Sequence, residues 1–379
     1  MKIIIAGDFC PKYKVKELLL KKDYATIFSE VQKLIHHERY DCAIINLECP
    51  ITAFNNSYQA IKKIGPNLNA PIETLYALKY AGFDTLTLAN NHILDFGENG
   101  LSNTLKSCHS LNFATVGAGM NANEARKILY KHIKGKTLAL INCCEHEFTI
   151  ASENSAGANP LNPISQYYDI LEARKKSDYV IVIVHGGHEY YQLPSTRMVE
   201  TYRFFIDAGA DAVINHHQHV FSGYETYKDK PIFYGLGNFC FDRLTNTDKH
   251  WNEGYAVELN LENEISFTIR PYYQCIDTEQ PSVSFNIDNQ QFTNKISNLN
   301  QIISSKEKLR QRQNDYYSKS TKYLKDNFEP YTSKLLIKLK NFKLLPSLSS
   351  KRKKYIFYNL INCESHRDKI LYYLKNYCK

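Results

Sequence analysis

The sequence predicts an α/β fold, because short apolar runs that end in polar residues alternate with helix-like stretches. The apolar runs are rich in Ile, Val and Leu, as expected for strands buried on both faces of a sheet. They are KIIIAGD, DCAIINLE, FDTLTLANNH, KTLALINCCEHE, DYVIVIVHGGHEY, DAVINHHQH and PIFYGLGNF. The helix-like stretches are YATIFSEVQKLIHHERY, APIETLYALKYAG, NGLSNTLKSCHSL and PSTRMVETYRFFIDAG. Two later segments, GYAVELNLEN and EISFTIRPYYQ, alternate like an antiparallel pair of strands.

The chain divides into a mildly acidic body and a basic tail. Its 379 residues are 43% hydrophobic, which is enough to build a sizeable core. Residues 301–379 carry 19 basic and 6 acidic side chains, whereas residues 1–300 carry 28 basic and 33 acidic ones. From about residue 293 the apolar spacing becomes helical and the polar strand ends cease. We therefore predict one domain at 1–290 and a basic, largely helical extension at 291–379.

Composition excludes several classes of protein. The first residues, MKIIIAGDFCP, contain too short an apolar run for a signal peptide. No run approaches the roughly 20 apolar residues that cross a bilayer. The ten cysteines have no paired spacing, so we expect free thiols. We expect the protein in the cytoplasm or at the inner face of the membrane.

The basic tail has several interpretations. Clusters such as KRKKYIFY suit an acidic lipid surface, an anionic polymer or nucleic acid, and a solvated helical appendage has the same composition. The chain carries no nucleic-acid-binding motif, so we predict no nucleic-acid partner. Because the tail is helical and aromatic, packing against the body or against a membrane surface is favoured.

Polar side chains follow most of the predicted strands at the point where each strand ends. In open α/β sheets, ligands bind at the carboxyl ends of strands. The residues at those ends are Asp8, Glu48, Asn91, His92, His185, His217 and His219. Each alone has an ordinary explanation as a turn, cap or surface residue. Together, carboxylates, an amide oxygen and imidazoles predict a site for one divalent transition metal ion or a pair of them.

At these motifs the chain resembles the capsule-synthesis CapA family, also called the poly-gamma-glutamate capsule family. The motifs are AGDFC, INLECPIT, LANNHILDFGENGL, VHGGHEYYQLPS, GADAVINHHQHVFSGYE and IFYGLGNFCFD, spread over roughly residues 1–275. That family belongs to the calcineurin-like metallophosphoesterase superfamily. The resemblance implies a four-layer sandwich of two mixed β-sheets flanked by helices. It also implies one or two Mn, Fe or Zn ions as cofactor.

The resemblance assigns roles residue by residue. The metal ligands it implies are Asp8, Glu48, Asn91, His185, His217 and His219, with Glu48 as the bridging carboxylate. His92 corresponds to the histidine that contacts the scissile phosphate or protonates the leaving group, and Asp95 would orient it. Asp95 could instead cap the following helix. The remaining candidates, as ligands or as neighbours of the ligands, are Cys10, His216, Glu189 and Asn238.

The chain departs from the superfamily pattern at its first motif. The superfamily has Asp-x-His there, whereas this chain has Asp8 and Cys10. Cys10 could bind a soft metal, or the first metal position could be weak or empty. Asn215 also stands where a glycine usually precedes the histidine cluster. The number of ions stays open on the sequence alone.

Three functions compete at this point. The first is a metal-dependent phosphoesterase-like hydrolase in capsule or exopolymer biosynthesis, acting on a phosphoester or an anionic polymer. The second is a non-catalytic component of polymer synthesis or export whose metal site is degenerate. The third is a metal-dependent amide hydrolase of a polyglutamate-type polymer, since an activated water can also attack a carbonyl. Capsule-synthesis machinery is the expected partner in each case.

Overall fold

The computed structural model describes residues 1–52, 58–63, 65–244, 250–328 and 330–362. The first eight strands are β1 (Lys2–Phe9), β2 (Cys42–Leu47), β3 (Thr85–Thr87), β4 (Ala114–Val116), β5 (Ala118–Gly119), β6 (Leu129–Ile133), β7 (Lys136–Cys144) and β8 (Gly157–Ala158). The others are β9 (Tyr179–His185), β10 (Ala212–His216), β11 (Tyr224–Tyr227), β12 (Lys230–Phe233), β13 (Asn238–Cys240), β14 (Glu253–Leu261), β15 (Ile265–Gln274) and β16 (Val283–Ser284).

Helices connect most of these strands. They are α1 (Lys14–Leu20), α2 (Tyr24–Glu38), α3 (Glu73–Ala81), α4 (Gly97–Ser110), α5 (Ala122–Ala125), α6 (Pro163–Lys176), α7 (Thr196–Asp207), α8 (Asn289–Ile303), α9 (Lys306–Phe328), α10 (Lys334–Asn341) and α11 (Lys351–Asn362). Helix α6 is not among the helix-like stretches that the sequence predicts; it begins where the Asn162 side chain caps it and proline occupies the first turn. Helix α7 is capped by Ser195 in the same way.

The strands form two mixed sheets. The first has the order β16-β15-β14-β1-β2-β3-β4, with β13 also paired to β1, and the second has the order β11-β12-β10-β9-β7-β6. In the first sheet β1 to β4 are parallel, whereas β14, β15 and β16 are antiparallel. In the second, β7, β9, β10 and β12 are parallel and the two edge strands are antiparallel. The strands β14 and β15 are the antiparallel pair that the sequence predicts.

The core lies in three layers, which explains why the strands are apolar on both faces. Ile3 and Ile5 of β1 pack toward the second sheet, in one cluster with Ile181 and Ile183 of β9. Their neighbour Ile4 lies in a separate cluster with helices α1 to α4. Helices α6 and α7 cover the other face of the second sheet. The predicted four-layer sandwich of helices, two mixed sheets and helices is therefore confirmed.

A close approach of two backbones sets the end of β1. A Cβ on Gly7 would lie 2.0 Å from the carbonyl oxygen of Gly237, so only glycine fits this position. The contact lets β13 pair with β1, which places Asp8 opposite Asn238. The register of β1 shifts at this point. This local irregularity turns the Asp8 side chain to the end of the sheet.

The chain forms two compact units, Met1–Arg310 and Gln311–Lys379. The first unit therefore extends beyond the boundary predicted at residue 290. Helix α8 accounts for this difference, since Phe292 packs in the core between the sheets, 4.7 Å from the ring of Phe221. The side chain of Asn300 also accepts a hydrogen bond from the amide of Tyr224, at 2.7 Å. The sequence assigned α8 to the extension because its amphipathic spacing resembles that of the tail.

Within the second unit, α10, α11 and part of α9 are helical, as the sequence predicts for the tail. Residues 363–379 of the tail lie outside the described residues. Among the helices that the structure describes, none combines the length and the apolar character needed to span a membrane.

We expect Phe292→Ala to lower the free energy of unfolding of the first unit by about 3–5 kcal/mol, because it empties a buried aromatic site. Phe342→Ala is the matched control, since that ring is 66% exposed in the second unit. It should change stability by less than about 0.5 kcal/mol. Urea denaturation followed by circular dichroism measures both. Equal, small effects would show that α8 is not part of the folded body.

Candidate metal centre

The predicted residues meet where parallel strands of the two sheets end. Asp8 and Glu48 lie at the ends of the neighbouring strands β1 and β2 of the first sheet. His185 ends β9 of the second sheet and pairs in register with His216 at the end of β10. The sandwich thus brings the polar ends of both sheets together.

The ligand atoms form two groups that share one carboxylate. The first group is Glu48, His185 and His217, and the second is Asp8, Glu48 and His219. Within each group, the atoms that could bind a metal lie within 4.8 Å of one another. Glu48 belongs to both groups, which is the arrangement that a carboxylate bridging two ions requires.

The first group has the spacing of a coordination shell. The Nε2 atom of His185 lies 3.5 Å from Oε1 of Glu48 and 3.0 Å from Nδ1 of His217. It also lies 3.1 Å from Oδ1 of Asn91, which adds an amide oxygen to the group. Atoms that bind one ion at about 2.0–2.2 Å in tetrahedral geometry are separated by roughly 3.3–3.6 Å. The three separations from Nε2 of His185 lie within or slightly below this range, so the four atoms are close enough to one another to share one ion.

Glu48 tests whether a metal fits. Its side chain is fully buried, and neither carboxylate oxygen has a hydrogen-bond partner among the residues that the structure describes. Within the described ranges, no lysine or arginine forms an ion pair with Glu48 or Asp8. A buried carboxylate without a partner is strongly unfavourable. The donor set of carboxylates, imidazoles and an amide oxygen fits divalent Mn, Fe or Zn, which would supply the missing positive charge.

Burial favours the neutral form of two carboxyl groups and two imidazoles of the site. It raises the pKa of Asp8 to about 6 and that of Glu48 well above its ordinary value. It lowers the pKa of His185 and His219 well below 6.5, so both imidazoles are neutral at pH 7. Neutral imidazole is the form that binds metals.

Amide side chains hold the ligands in place. Asn46 donates a hydrogen bond to Oδ1 of Asp8 at 2.7 Å, and the amide of His217 donates to Oδ2 at 3.1 Å. Asn238, which the sequence put forward without a role, accepts from Nδ1 of His219 at 3.0 Å and donates to its carbonyl at 2.9 Å. This contact leaves Nε2 of His219 directed toward Glu48, 3.7 Å away. Such outer contacts fix the tautomer and the orientation of a ligand.

Glu147 is a residue that the sequence did not single out. One of its oxygens accepts a hydrogen bond from Nδ2 of Asn91 at 3.2 Å, and the other lies 3.4 Å from Nε2 of His217. It therefore orients the amide oxygen of Asn91 and Nδ1 of His217 toward His185. Asn46 and Glu147 both stand at the ends of predicted strands, in DCAIINLE and KTLALINCCEHE, but the sequence assigned neither a role because their contacts form only when distant segments meet.

The backbone around the histidine cluster is strained. His217 and His219 both have left-handed φ angles, of 93° and 59°. Non-glycine residues adopt such angles rarely, and they concentrate at functional sites. The hydrogen bonds from the His217 amide to Asp8 and from Asn238 to the His219 carbonyl hold this conformation.

His92 and Asp95 form a buried pair beside the two groups. The Nδ1 atom of His92 lies 2.7 Å from Oδ2 of Asp95, which leaves Nε2 for other partners. Asp95 also accepts from the amide of Leu68 at 2.7 Å, and Lys63 forms an ion pair with its second oxygen. The alternative role of Asp95 as a helix cap is not observed, since α4 has Phe96 at its cap position without a side-chain hydrogen bond. Lys63 is a further residue that the sequence did not single out.

Three other candidates lie near the two groups but outside them. Cys10 is buried, and burial together with its neighbour Cys49 raises the pKa of its thiol, which disfavours the thiolate that binds metals. His216 is buried 3.5 Å from Asp8, and burial lowers its pKa to about 3. Glu189 is exposed and lines a cleft that opens onto His92.

Comparison with known proteins identifies the family. Residues 2–243 match the family described as bacterial capsule synthesis protein PGA_cap. The chain belongs to this family. The PGA_cap match includes every predicted ligand, and it ends before β14.

Two relatives of the PGA_cap chain carry capsule-related names. The capsule biosynthesis protein CapA of Bacillus anthracis is 34% identical over 63% of this chain and 59% of its own length. The PGA biosynthesis protein CapA of Bacillus subtilis is 35% identical over 62% of this chain and 62% of its own. The chain thus spans about three-fifths of the length of these relatives. A novel phosphatase from Mycoplasma pneumoniae aligns with a TM-score of 0.46 and 13% identity, over 72% of this chain and 92% of that one.

The raised pKa of Asp8 predicts a pH dependence of the metal-free protein. Its folded state binds the proton more tightly than its unfolded state, so the free energy of unfolding should fall as pH rises from about 4 to about 6. The loss attributable to Asp8 is on the order of 3 kcal/mol. Urea denaturation with chelator at several pH values should show a shallower slope for Asp8→Asn. Exposed Asp229→Asn should keep the wild-type slope, and an unchanged slope in Asp8→Asn would contradict the assignment.

The buried ion pair predicts a large effect of Lys63. Lys63→Met leaves the carboxylate of Asp95 buried without its cation, which should cost about 3–5 kcal/mol of unfolding free energy. Its neighbour Lys62 is exposed, so Lys62→Met is a matched control and should change stability by less than about 0.5 kcal/mol. Chemical denaturation at pH 7 compares the two variants. Equal stabilities would mean that Lys63 does not neutralise Asp95.

Proposed function

We propose that this chain is a metal-dependent phosphoesterase-like hydrolase that acts in capsule or exopolymer biosynthesis. The observation that carries the proposal is the pair of candidate ligand groups that share Glu48, whose buried oxygens have no hydrogen-bond partner in the described part of the chain. Membership of the capsule-synthesis family supports the biological process. The adjacent His92 and Asp95 support a hydrolytic reaction, because a site that only stores metal needs no such pair.

We propose Mn, Fe or Zn as the cofactor, with one or two ions per chain. Asn91, His185 and His217 would hold one ion, Asp8 and His219 the other, and Glu48 both. When bound, such ions polarise a phosphoryl oxygen and lower the pKa of a water molecule toward neutrality.

The side chains of the site have distinct tasks in this proposal. Asp95 accepts a hydrogen bond from the Nδ1–H group of His92. This bond fixes the tautomer in which Nε2 exchanges a proton with the substrate. His92 protonates the departing oxygen as the phosphoester bond breaks. Lys63 forms a buried ion pair with Asp95, so that the charge of this carboxylate is balanced.

The partners follow from the relatives' names and from the charge of the chain. We propose an anionic polymer or a phosphoester as substrate. Capsule-synthesis machinery is the proposed partner, in keeping with the capsule biosynthesis and PGA biosynthesis names of the Bacillus proteins. The basic tail would contact a membrane surface, and no nucleic acid is involved.

A non-catalytic role is the second candidate, and one observation favours it. Among the described residues, the second group consists of Asp8, Glu48 and His219, and Cys10, at the motif position where the superfamily has histidine, is not part of it. A chain with that group degenerate would bind one ion or none. Metal content and turnover measured together distinguish the two functions.

The first experiment measures metal content. Protein purified after growth with Mn, Fe and Zn should contain metal by plasma mass spectrometry, and the double variant His217→Ala with His219→Ala should lose it, because each ligand group loses an imidazole. His109→Ala is the control, since this exposed histidine lies on α4. Full metal retention in the double variant would remove both histidines from the coordination shell.

The second experiment separates His92 from the ligands. We expect His92→Ala to retain metal and to lower turnover of a phosphodiester with a poor leaving group by about 10²–10⁴-fold. The loss should shrink for a good leaving group, which departs without a proton, and Asp95→Asn should show a milder version. If His92→Ala loses the metal, His92 is a ligand. If it changes turnover of no hydrolysable substrate, the non-catalytic function becomes the better account.

A further inference from the structure

A cleft of about 410 Å³ opens beside the candidate metal centre. His92 and His219 line its inner end, and Tyr190 and Trp251 form part of its wall. The rings of Trp251 and Phe241 lie 5.1 and 5.4 Å from that of His219, so the wall is continuous with the ligand group. A cleft of this volume can hold a small organic ligand that extends outward from the metal centre.

Arg243 lies in this cleft in a fixed orientation. Its guanidinium carbon is 3.3 Å from the centre of the Trp251 ring, and its Nη2 donates a hydrogen bond to the Tyr190 hydroxyl at 3.1 Å. Trp251 is itself held by a hydrogen bond from its indole nitrogen to the carbonyl of Phe241, at 2.8 Å. No carboxylate in the described part of the chain forms an ion pair with Arg243. Stacking on Trp251 therefore fixes the guanidinium, and the N–H groups that do not bond Tyr190 can donate to an anion.

Lys12 supplies a second cation in the same cleft. Asp242 holds its loop, because one carboxylate oxygen accepts from the Lys12 amide at 2.9 Å and the other from the Val15 amide at 3.1 Å. The Lys12 ammonium lies over the rings of Tyr13 and Phe241, at 5.2 and 5.9 Å. Among the described residues, no carboxylate forms an ion pair with this ammonium either. Asp242 thus holds the Lys12 segment beside its own chain neighbour, Arg243, through backbone hydrogen bonds. In the described part of the chain its carboxylate forms no ion pair with either cation, so both can bind an anion.

We propose that Lys12 and Arg243 bind a second anionic group of the substrate, a phosphate or a carboxylate, while the reacting phosphoester lies at the metal centre. This inference rests on the proposed function for the reacting group, and it adds that the substrate carries at least two anionic groups. Glu189, at the exposed rim, is the one carboxylate that lines the described cleft. Its carboxylate would repel a third anionic group at the rim, so we expect the substrate to carry its anionic groups further inside the cleft.

Three non-hydrolysable probes test the proposal by calorimetry on the Mn-loaded full chain. Hexylphosphonate has one anionic group, hexane-1,6-diphosphonate adds a phosphonate, and 6-phosphonohexanoate adds a carboxylate. We expect the second group to tighten binding by about tenfold or more, because it forms charge-assisted hydrogen bonds. The probe with the larger gain identifies whether the cleft prefers phosphate-like or carboxylate groups.

The variants Arg243→Gln and Lys12→Gln should each reduce that gain to about threefold or less and leave hexylphosphonate affinity near wild type. Lys33→Gln, an exposed lysine on α2, is the control and should keep the full gain. Equal affinity of all three probes for the wild-type chain, or a full gain in both variants, would overturn the proposal. If no probe binds, the proposed function fails and this inference fails with it. Two independent variants keep the test decisive if one does not fold.

Discussion

The uncompensated carboxylate of Glu48 is the constraint on which the rest of the centre depends. It is buried between the ends of two sheets, close to Asp8, and the described part of the chain offers it neither a hydrogen bond nor a basic side chain. A fold can tolerate such a group only with a bound cation or a bound proton. The imidazoles of His185 and His219 are neutral because burial lowers their pKa, so they can bind a cation but cannot replace it. The donor set around Glu48 is therefore the kind that a divalent metal ion would complete.

Three basic side chains, Lys63, Arg243 and Lys12, lie near this centre. Lys63 neutralises Asp95, one step behind His92, and does not pair with the ligand carboxylates. Arg243 and Lys12 lie in the cleft, held by aromatic rings and by the backbone contacts of Asp242. Among the described residues, no lysine or arginine pairs with Asp8 or Glu48, so their oxygens would be available to a metal ion. The two cations in the cleft are the ones that we propose bind a second anionic group of the substrate.

Local patterns in the sequence predicted the fold and the residues that converge. Strands buried on both faces can be recognised in the sequence as continuous apolar runs. Polar residues at their carboxyl ends meet because parallel strands end at the same edge of the sheet. The sequence assigned no role to Asn46, Glu147 or Lys63, although Asn46 and Glu147 stand at predicted strand ends, because each contacts a residue far away in the chain. It also placed α8 in the extension. An amphipathic pattern predicts that one face of a helix is buried, but it does not identify the surface that buries it. The roles of the converging side chains remain predictions.

Anomalous diffraction from crystals of the Mn-loaded protein tests the central claim most directly. The account predicts anomalous peaks on either side of the Glu48 carboxylate. One would lie among Asn91, His185 and His217, and the other between Asp8 and His219. A single peak in the first group would support a centre in which the position beside Cys10 is empty. The absence of any peak within bonding distance of Glu48, at full metal loading, would contradict the account.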